Sequence, residues 1–314
     1  MGACSSHYDA SLTTDTPSRP ASATLLAFAV FVLFGGANAV GVKFALIDLD
    51  PFWAAGVRFL LAGLLLFGFA IATRRRLPRG ERLLGTTLFG LFGVGLAYFF
   101  LYWGLQDAPA GTTMLILATV PLLTLLLAIL QRVERLRWLG LAGAVIASAG
   151  IVVVAGDQLR LDVPIVSLGA LLAGAACLAE SAVVAKRFPP GDPVPANAIG
   201  MTLGGLLLVA VAIATGEQLG APVAAEAWWA MAYLVGPGSV AVFILALFIL
   251  ARWTASATSY AFLLFPLVAV VLGALMLEEP VQPTFVIGGA IVLLGVYIGA
   301  VHRPRRMAEV VVSA

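Results

Sequence analysis

The chain has 314 residues, of which 61% are hydrophobic and only 11% charged, against about 25% charged residues in soluble globular domains. Too few polar atoms are present to cover a water-facing surface, so the solvent of this fold is lipid. A net charge of +2 with no basic run interleaved with aromatics gives no footing for a nucleic-acid partner. Two cysteines, Cys4 and Cys177, and two histidines, His7 and His302, supply neither a disulfide framework nor a metal centre.

The first twenty residues are polar and lack a charged stretch followed by a short apolar one, so they read as a tail with no cleaved signal peptide. Gly2 to Ser6 fits the loose N-myristoylation pattern, which is common by chance. Crossing ~30 Å of hydrocarbon takes ~20 apolar residues in a helix. Runs of that size fall at 22–46, 52–73, 83–106, 111–130, 137–156, 165–187, 196–215, 227–251, 256–277 and 283–302. Each break between them carries Pro, Gly or charge, as a helix end at an interface should. Residues 303–314 form a second tail. The sequence thus predicts an all-α membrane protein of ten transmembrane helices, with no stretch left over for a soluble domain.

Orientation follows from the basic residues. With the N-terminus inside, cytoplasmic segments hold Arg19, Arg74, Arg75, Arg76, Arg79, Arg82, Arg132, Arg135, Arg137, Lys186, Arg187, Arg252, Arg303, Arg305 and Arg306. The outer loops hold only Arg160, and Lys43 and Arg58 fall within spans. Fifteen against one predicts both termini in the cytoplasm, in a cell membrane of the bacterial inner-membrane kind.

A constant offset of 145 residues pairs Gly93 with Gly238, Ala110 with Ala255, Pro121 with Pro266 and Leu122 with Leu267. It goes on to pair Glu134 with Glu279, Gly143 with Gly288, Gly150 with Gly295 and Ala155 with Ala300. Upstream the register drifts, and Pro51 stands opposite Pro193 at an offset of 142. The halves read as copies of one five-helix unit, residues 21–156 and 164–302. Five is odd, so the second copy enters the membrane from the opposite side. Inverted repeats of this kind belong to alternating access, with the binding site between the copies near the midplane.

The order of these features resembles the drug/metabolite transporter superfamily, specifically its EamA-like ten-helix permeases, over essentially all of residues 20–305. The resemblance rests on Gly35-Gly36-Ala37-Asn38 with Lys43, on Pro51 followed by Arg58, and on Ala110 through Pro121. Glu134, Gly143 and Gly150 continue it, and the second copy repeats it as Ala255 through Pro266, Glu279, Gly288 and Gly295. Phe34 departs from the pattern, where the family carries a tryptophan before the glycine, and Glu180 is no family hallmark.

Candidate substrate-binding residues are Asn38, Arg58, Tyr98, Tyr102, Thr113, Glu180, Ser239 and Tyr260. Glu180 is an acidic side chain deep in a span, where a charge costs ~2.5–3.5 kcal/mol on insertion scales. It is therefore a candidate for proton coupling or for a substrate amine; the alternative is that it reaches the cytoplasmic interface near Lys186. Arg58 lies about 10 Å past Pro51 at 1.5 Å per residue. Its planar fork suits an anionic substrate group such as a carboxylate, unless it snorkels outward toward Asp48 or Asp50. Pro121, Pro237 and Pro266 bend their helices and are candidate hinges. Glu134 and Glu279 read as caps on the fifth and tenth helices, and the paired glycines as helix contacts.

No nucleophile–base pair or metal-binding constellation is present, which sets an intramembrane enzyme aside. The sequence reads as a secondary transporter, an exporter of small polar metabolites such as amino acids, with proton coupling through Glu180 as an option and no cofactor. A passive channel and a membrane scaffold are the alternatives. The expected partners are a small-molecule substrate and the lipid bilayer, with the protein a monomer or weak homodimer.

Overall fold

The computed structural model describes residues 22–108, 110–155, 163–277 and 283–301; both terminal tails, Arg160, Glu279 and His302 lie outside them. Among the described residues every regular element is helical. The full-length helices are α1 (Ser22–Ala45), α2 (Pro51–Ala72), α3 (Glu81–Leu105), α6 (Ile165–Arg187), α7 (Pro193–Thr215), α8 (Ala225–Leu250), α9 (Ala255–Met276) and α10 (Pro283–Ala300). These eight are long and apolar enough to cross a membrane. The other two expected spans are shorter: α4 comes in two pieces, Ala110–Leu117 and Val120–Leu130, and α5 is Trp138–Ala155.

Local chemistry sets the boundaries. Pro51 and Pro193 open α2 and α7 directly after Asp50 and Asp192. Proline suits the first helical position because its missing N–H has no partner there anyway. The Asp192 carboxylate accepts the Val194 N–H at 3.0 Å, and Thr254 caps α9 by accepting from Ala257 N at 3.1 Å. Gly216 ends α7 in the left-handed region at φ 76°, which glycine adopts without a Cβ clash.

The prolines act in three different ways. Pro121 opens the second piece of α4, just after the helix breaks at Ala118 and Thr119. Pro237 lies in a π-helical turn, Gly236–Ala241, within α8. Pro266 sits inside a continuous segment, Ala261–Leu277, and α9 is interrupted at Tyr260 instead. A second π-helical turn, Leu91–Leu96 in α3, lies 145 residues before the one in α8. Such turns displace one residue from the ladder and recur at functional sites.

Helix α2 packs along α7, and α5 along α10; α3 lies against α6 and α7, and α8 against α1 and α2. Helix α9 packs on α1 and α4, and α4 also on α6. Adding or subtracting five from each helix number returns the same set of pairs. Small residues allow the closest approaches: a Cβ on Gly143 would lie 2.5 Å from Gly299 Cα, and one on Gly150 would lie 2.7 Å from Val292 N. Two large clusters form the core. One holds Phe52, Phe59, Val94, Met201 and Leu208; the other holds Phe28, Ile151, Leu263 and Val292. The outer surface carries Leu64, Leu65, Ile71, Ile165 and Leu275, all well exposed, as a surface solvated by lipid requires.

Glu134 departs from its expected role. It lies in the α4–α5 link, and its carboxylate accepts the Ser256 N–H at 3.1 Å and bonds the Ser256 hydroxyl. It thus caps α9 rather than its own α5, whose first residue is four positions further on. The free N–H groups of the α9 N-terminus are nearer to hand.

Candidate functional site

Arg58 is the largest fully buried side chain among the described residues, 1% exposed, on the face of α2 that carries Ala62 one turn on. Its Nη2 donates to the Tyr98 hydroxyl at 3.2 Å. The guanidinium lies 4.4 Å from the Phe59 ring centre and 5.1 Å from that of Tyr98. Nε and Nη1 are buried without a hydrogen-bond partner. Arg58 therefore does not snorkel toward Asp48 or Asp50; aromatic faces, not a carboxylate, hold it in place. Tyr102 stands 6.2 Å ring to ring from Tyr98, and Phe52 packs on Tyr102 at 6.3 Å.

The π-helical turn of α8 supplies a second polar group. Asn38 of α1 donates through Nδ2 to the Gly238 carbonyl at 2.9 Å, while its Oδ1 and the fully buried Ser239 hydroxyl have no partner. A Cβ at Gly238 would fall 2.2 Å from Asn38 Oδ1, so a larger residue here would displace the asparagine amide. In the other half, Gly93 in the α3 turn meets Ser181 of α6, with a Cβ distance of 3.0 Å. Asn38 and Ser181 thus occupy matching places, and Glu180 is one residue beside the match.

The remaining candidates lie elsewhere. Glu180 is half-buried between α4 and α6, where Gln131 donates through Nε2 to its Oε2 at 2.6 Å and Arg187 donates to the Gln131 side-chain Oε1 at 3.2 Å. Tyr260 bonds the Gly140 carbonyl and fills the space above Gly299, in the packing of α5 and α10. Thr113 is buried in the first piece of α4.

Several contributors carried no signal in sequence, since Phe59, Phe243 and Tyr233 are aromatics within apolar runs. Phe243 packs edge-on against Phe59 at 5.8 Å and against Phe89 at 6.4 Å. Tyr233 donates to the Phe34 carbonyl at 2.7 Å. Asn197 did carry one. It is fully buried in α7 with both amide atoms unpartnered, and the chain's only asparagines, Asn38 and Asn197, both stand between alanines in apolar runs.

The two ends of the bundle are closed differently. At the acidic end, Asp48 accepts from Val223 N at 2.8 Å and Ala224 N at 2.7 Å, and Asp50 accepts from Gln218 N at 2.7 Å. Glu217 answers by accepting from Phe52 N at 3.1 Å and Trp53 N at 2.7 Å. Each loop thereby caps the helix that follows the other. At the basic end an ion pair, Arg75 to both oxygens of Asp192 at 2.8 Å, joins the matching loops. Beside it opens a cavity of about 420 Å³. A second hollow of about 390 Å³, almost wholly apolar, lies on the flank between α1, α8 and α9, with Glu226 on its lining.

The EamA-like transporter family matches residues 22–156 and, a second time, residues 166–300. The chain belongs to the EamA-like transporter family. It is 31% identical over 256 residues to the uncharacterized inner membrane transporter YedA of Escherichia coli strain K12, covering 78% of this chain and 80% of that one. It is 29% identical over 259 residues to a protein of Streptantibioticus cattleyicolor named "Probable terminal-alkyne amino-acid exporter", covering 80% and 86%. A solved crystal structure 22% identical in sequence superposes with a TM-score of 0.75 over 89% of this chain and 98% of that one, which shows a shared fold. The drug/metabolite superfamily read from the sequence and the transporter family thus agree, and this family member is a multi-pass membrane protein.

Proposed function

We propose that this EamA-like protein is a secondary transporter that exports small carboxylate-bearing metabolites, amino acids among them, by alternating access. Arg58 carries the reading. A buried cation without an anionic partner is costly, because desolvation is not repaid by attraction. A site that leaves Nε and Nη1 of Arg58 unpartnered is complete only when an anion arrives, and the guanidinium fork matches a carboxylate. Asn38 Oδ1 and Ser239 Oγ are further polar atoms without a partner, suited to the rest of a polar solute. The name of the Streptantibioticus cattleyicolor relative supports amino acids as the substrate class.

The conformational part of the proposal is rocking of two inverted five-helix copies, with the moving helices bending at the break before Pro121, at the π-helical turn that holds Pro237, and at Tyr260 ahead of Pro266. Two family matches 144 residues apart support the duplication. So do helix pairs that map onto themselves when five is added. In our reading the basic end and both termini lie in the cytoplasm and the protein in an inner membrane, and the charge asymmetry supports this. The acidic end, laced by Asp48, Asp50 and Glu217, is then the closed outer gate, and the cavity at the basic end is the inner mouth. Of the two readings of Glu180, the Glu180–Gln131–Arg187 chain supports a structural link at the inner end over a coupling site beside Arg58.

The test is solute flux in proteoliposomes with and without a pH gradient, using amino acids as the first panel. Saturation and counter-transport mark a carrier rather than a channel. Loss of flux in Arg58→Gln is expected; an unaltered apparent affinity for an anionic substrate in Arg58→Ala would sink the reading.

A further inference from the structure

Three cations from three separate helix ends line one hollow. Arg82 comes from the start of α3, Lys186 from the last turn of α6, and Arg252 from just beyond α8; all line the cavity of about 420 Å³ at the basic end. Among the described residues no acidic side chain lines it, and the rest of its wall is largely apolar, including Phe89, Phe248 and Pro190. Membrane topology requires positive charge on this side but not its convergence on a cavity. Arg75, by contrast, is neutralised by Asp192.

Arg252 is also held ready. The Arg252 guanidinium stacks on the Phe248 ring at 3.5 Å, and its Nη1 donates to the Phe248 carbonyl at 2.9 Å. That fixes its plane and leaves its other nitrogens without a partner among the described residues. Glu134, whose two oxygens bond Ser256, offsets part of the Lys186 charge. Positive charge in a low-dielectric cleft concentrates anions and speeds their capture, and a hollow of this size falls within the ~300–1,000 Å³ of small-molecule sites.

A chain of ring contacts links the cavity to Arg58. Phe89 lines the hollow, contacts Phe243 at 6.4 Å, and Phe243 contacts Phe59 at 5.8 Å. Phe59 in turn carries the Arg58 guanidinium at 4.4 Å. Three aromatic rings therefore stand between the cationic hollow and the buried cation.

We propose that this cavity is a second, separate binding site for small organic anions, with Arg82, Lys186 and Arg252 on the carboxylate or phosphate head and the phenylalanine and proline wall on an apolar body. Its role as the loading vestibule ahead of Arg58 rests on the transport reading above; its capacity to bind does not. An anionic lipid headgroup has the same chemistry, and the experiment separates the two sources.

The full chain in phosphatidylcholine nanodiscs is titrated with indole-3-acetate and with its neutral isostere indole-3-acetamide. The anion is expected to bind about tenfold or more tightly than the amide, with affinity falling as salt rises. Arg82→Gln/Lys186→Gln/Arg252→Gln is expected to lose about tenfold in affinity, while Arg82→Lys/Arg252→Lys, which keeps the charge and guards against misfolding, binds within about threefold of the unaltered chain. Phosphatidylglycerol in the nanodisc then identifies the source. If it blocks the probe, the site takes lipid headgroups; if the probe affinity is unchanged, it takes free solutes. Equal binding of acid and amide, or an unchanged triple variant, overturns the proposal. Binding lost in Arg58→Gln but kept in the triple variant also overturns it, and leaves the Arg58 reading standing.

Discussion

Arg58 and Tyr98 meet across the contact between α2 and α3, where the arginine Nη2 donates to the phenol oxygen at 3.2 Å and the guanidinium lies 5.1 Å from the ring centre. One residue is thus satisfied through a neutral hydroxyl and a π-face, while two of its nitrogens stay unpartnered in a buried place. Helix register brings this about: Tyr98 and Tyr102 share a face of α3 just past its π-helical turn, and that face lies toward α2.

From this relationship, Tyr98→Phe keeps the ring and loses the hydrogen bond. It is expected to raise the apparent KM for a carboxylate substrate several-fold while leaving kcat close to that of the unaltered chain. Arg58→Lys keeps the charge and loses the fork, and should cost about 1.5–3 kcal/mol, or roughly ten- to a hundredfold in kcat/KM. Initial rates in proteoliposomes check both.

The α5–α10 contact is expected to be intolerant of a single methyl group. In Gly143→Ala the new Cβ would press on Gly299 backbone at 2.5 Å, which requires the two helices to part. A loss of about 1–3 kcal/mol follows from overpacking of this kind. Gly169 on α6 has nothing within 4 Å, so Gly169→Ala should be neutral or gain about 0.4–1 kcal/mol. Thermal unfolding in detergent distinguishes the pair.

The reciprocal caps at the acidic end are expected to hold that end closed. Asp48→Ala with Glu217→Ala removes four hydrogen bonds between the loops. In a background with Cys4 and Cys177 replaced, a cysteine introduced at buried Ser239 should react several-fold faster with a membrane-impermeant maleimide added from that side. Unchanged labelling would mean that packing alone closes the outer end.

Glu180→Gln is expected to leave the pH profile of transport unchanged, since its carboxylate is tied to Gln131 at 2.6 Å and away from the Arg58 cluster. Gln131→Ala, which leaves Glu180 without its donor, should lower the melting temperature by about 2–4 °C for ~1 kcal/mol lost. A displaced pH optimum in Glu180→Gln would restore the coupling role.

Residue order already contained most of the architecture. Apolar runs the length of a bilayer, broken at Pro51 and Pro193, are dictated by the cost of unpaired backbone in lipid, and the matched glycines and prolines carry their register across the halves. Arg58 was legible as a site candidate for the same reason: a charge within such a run must be accounted for. Tertiary structure decided what accounts for it. Whether Arg58 reached outward or turned onto Tyr98 depended on which faces α2 and α3 present to each other, and helix faces are settled by packing between segments far apart in sequence. The same holds for Glu180, which shares its depth with Asn38 but lies one residue, about 100° of helix, from the place that Ser181 takes opposite Gly93. It holds as well for Arg82, Lys186 and Arg252. The sequence reads them as lying at one membrane face, where topology asks for positive charge, and only the fold gathers them around one hollow.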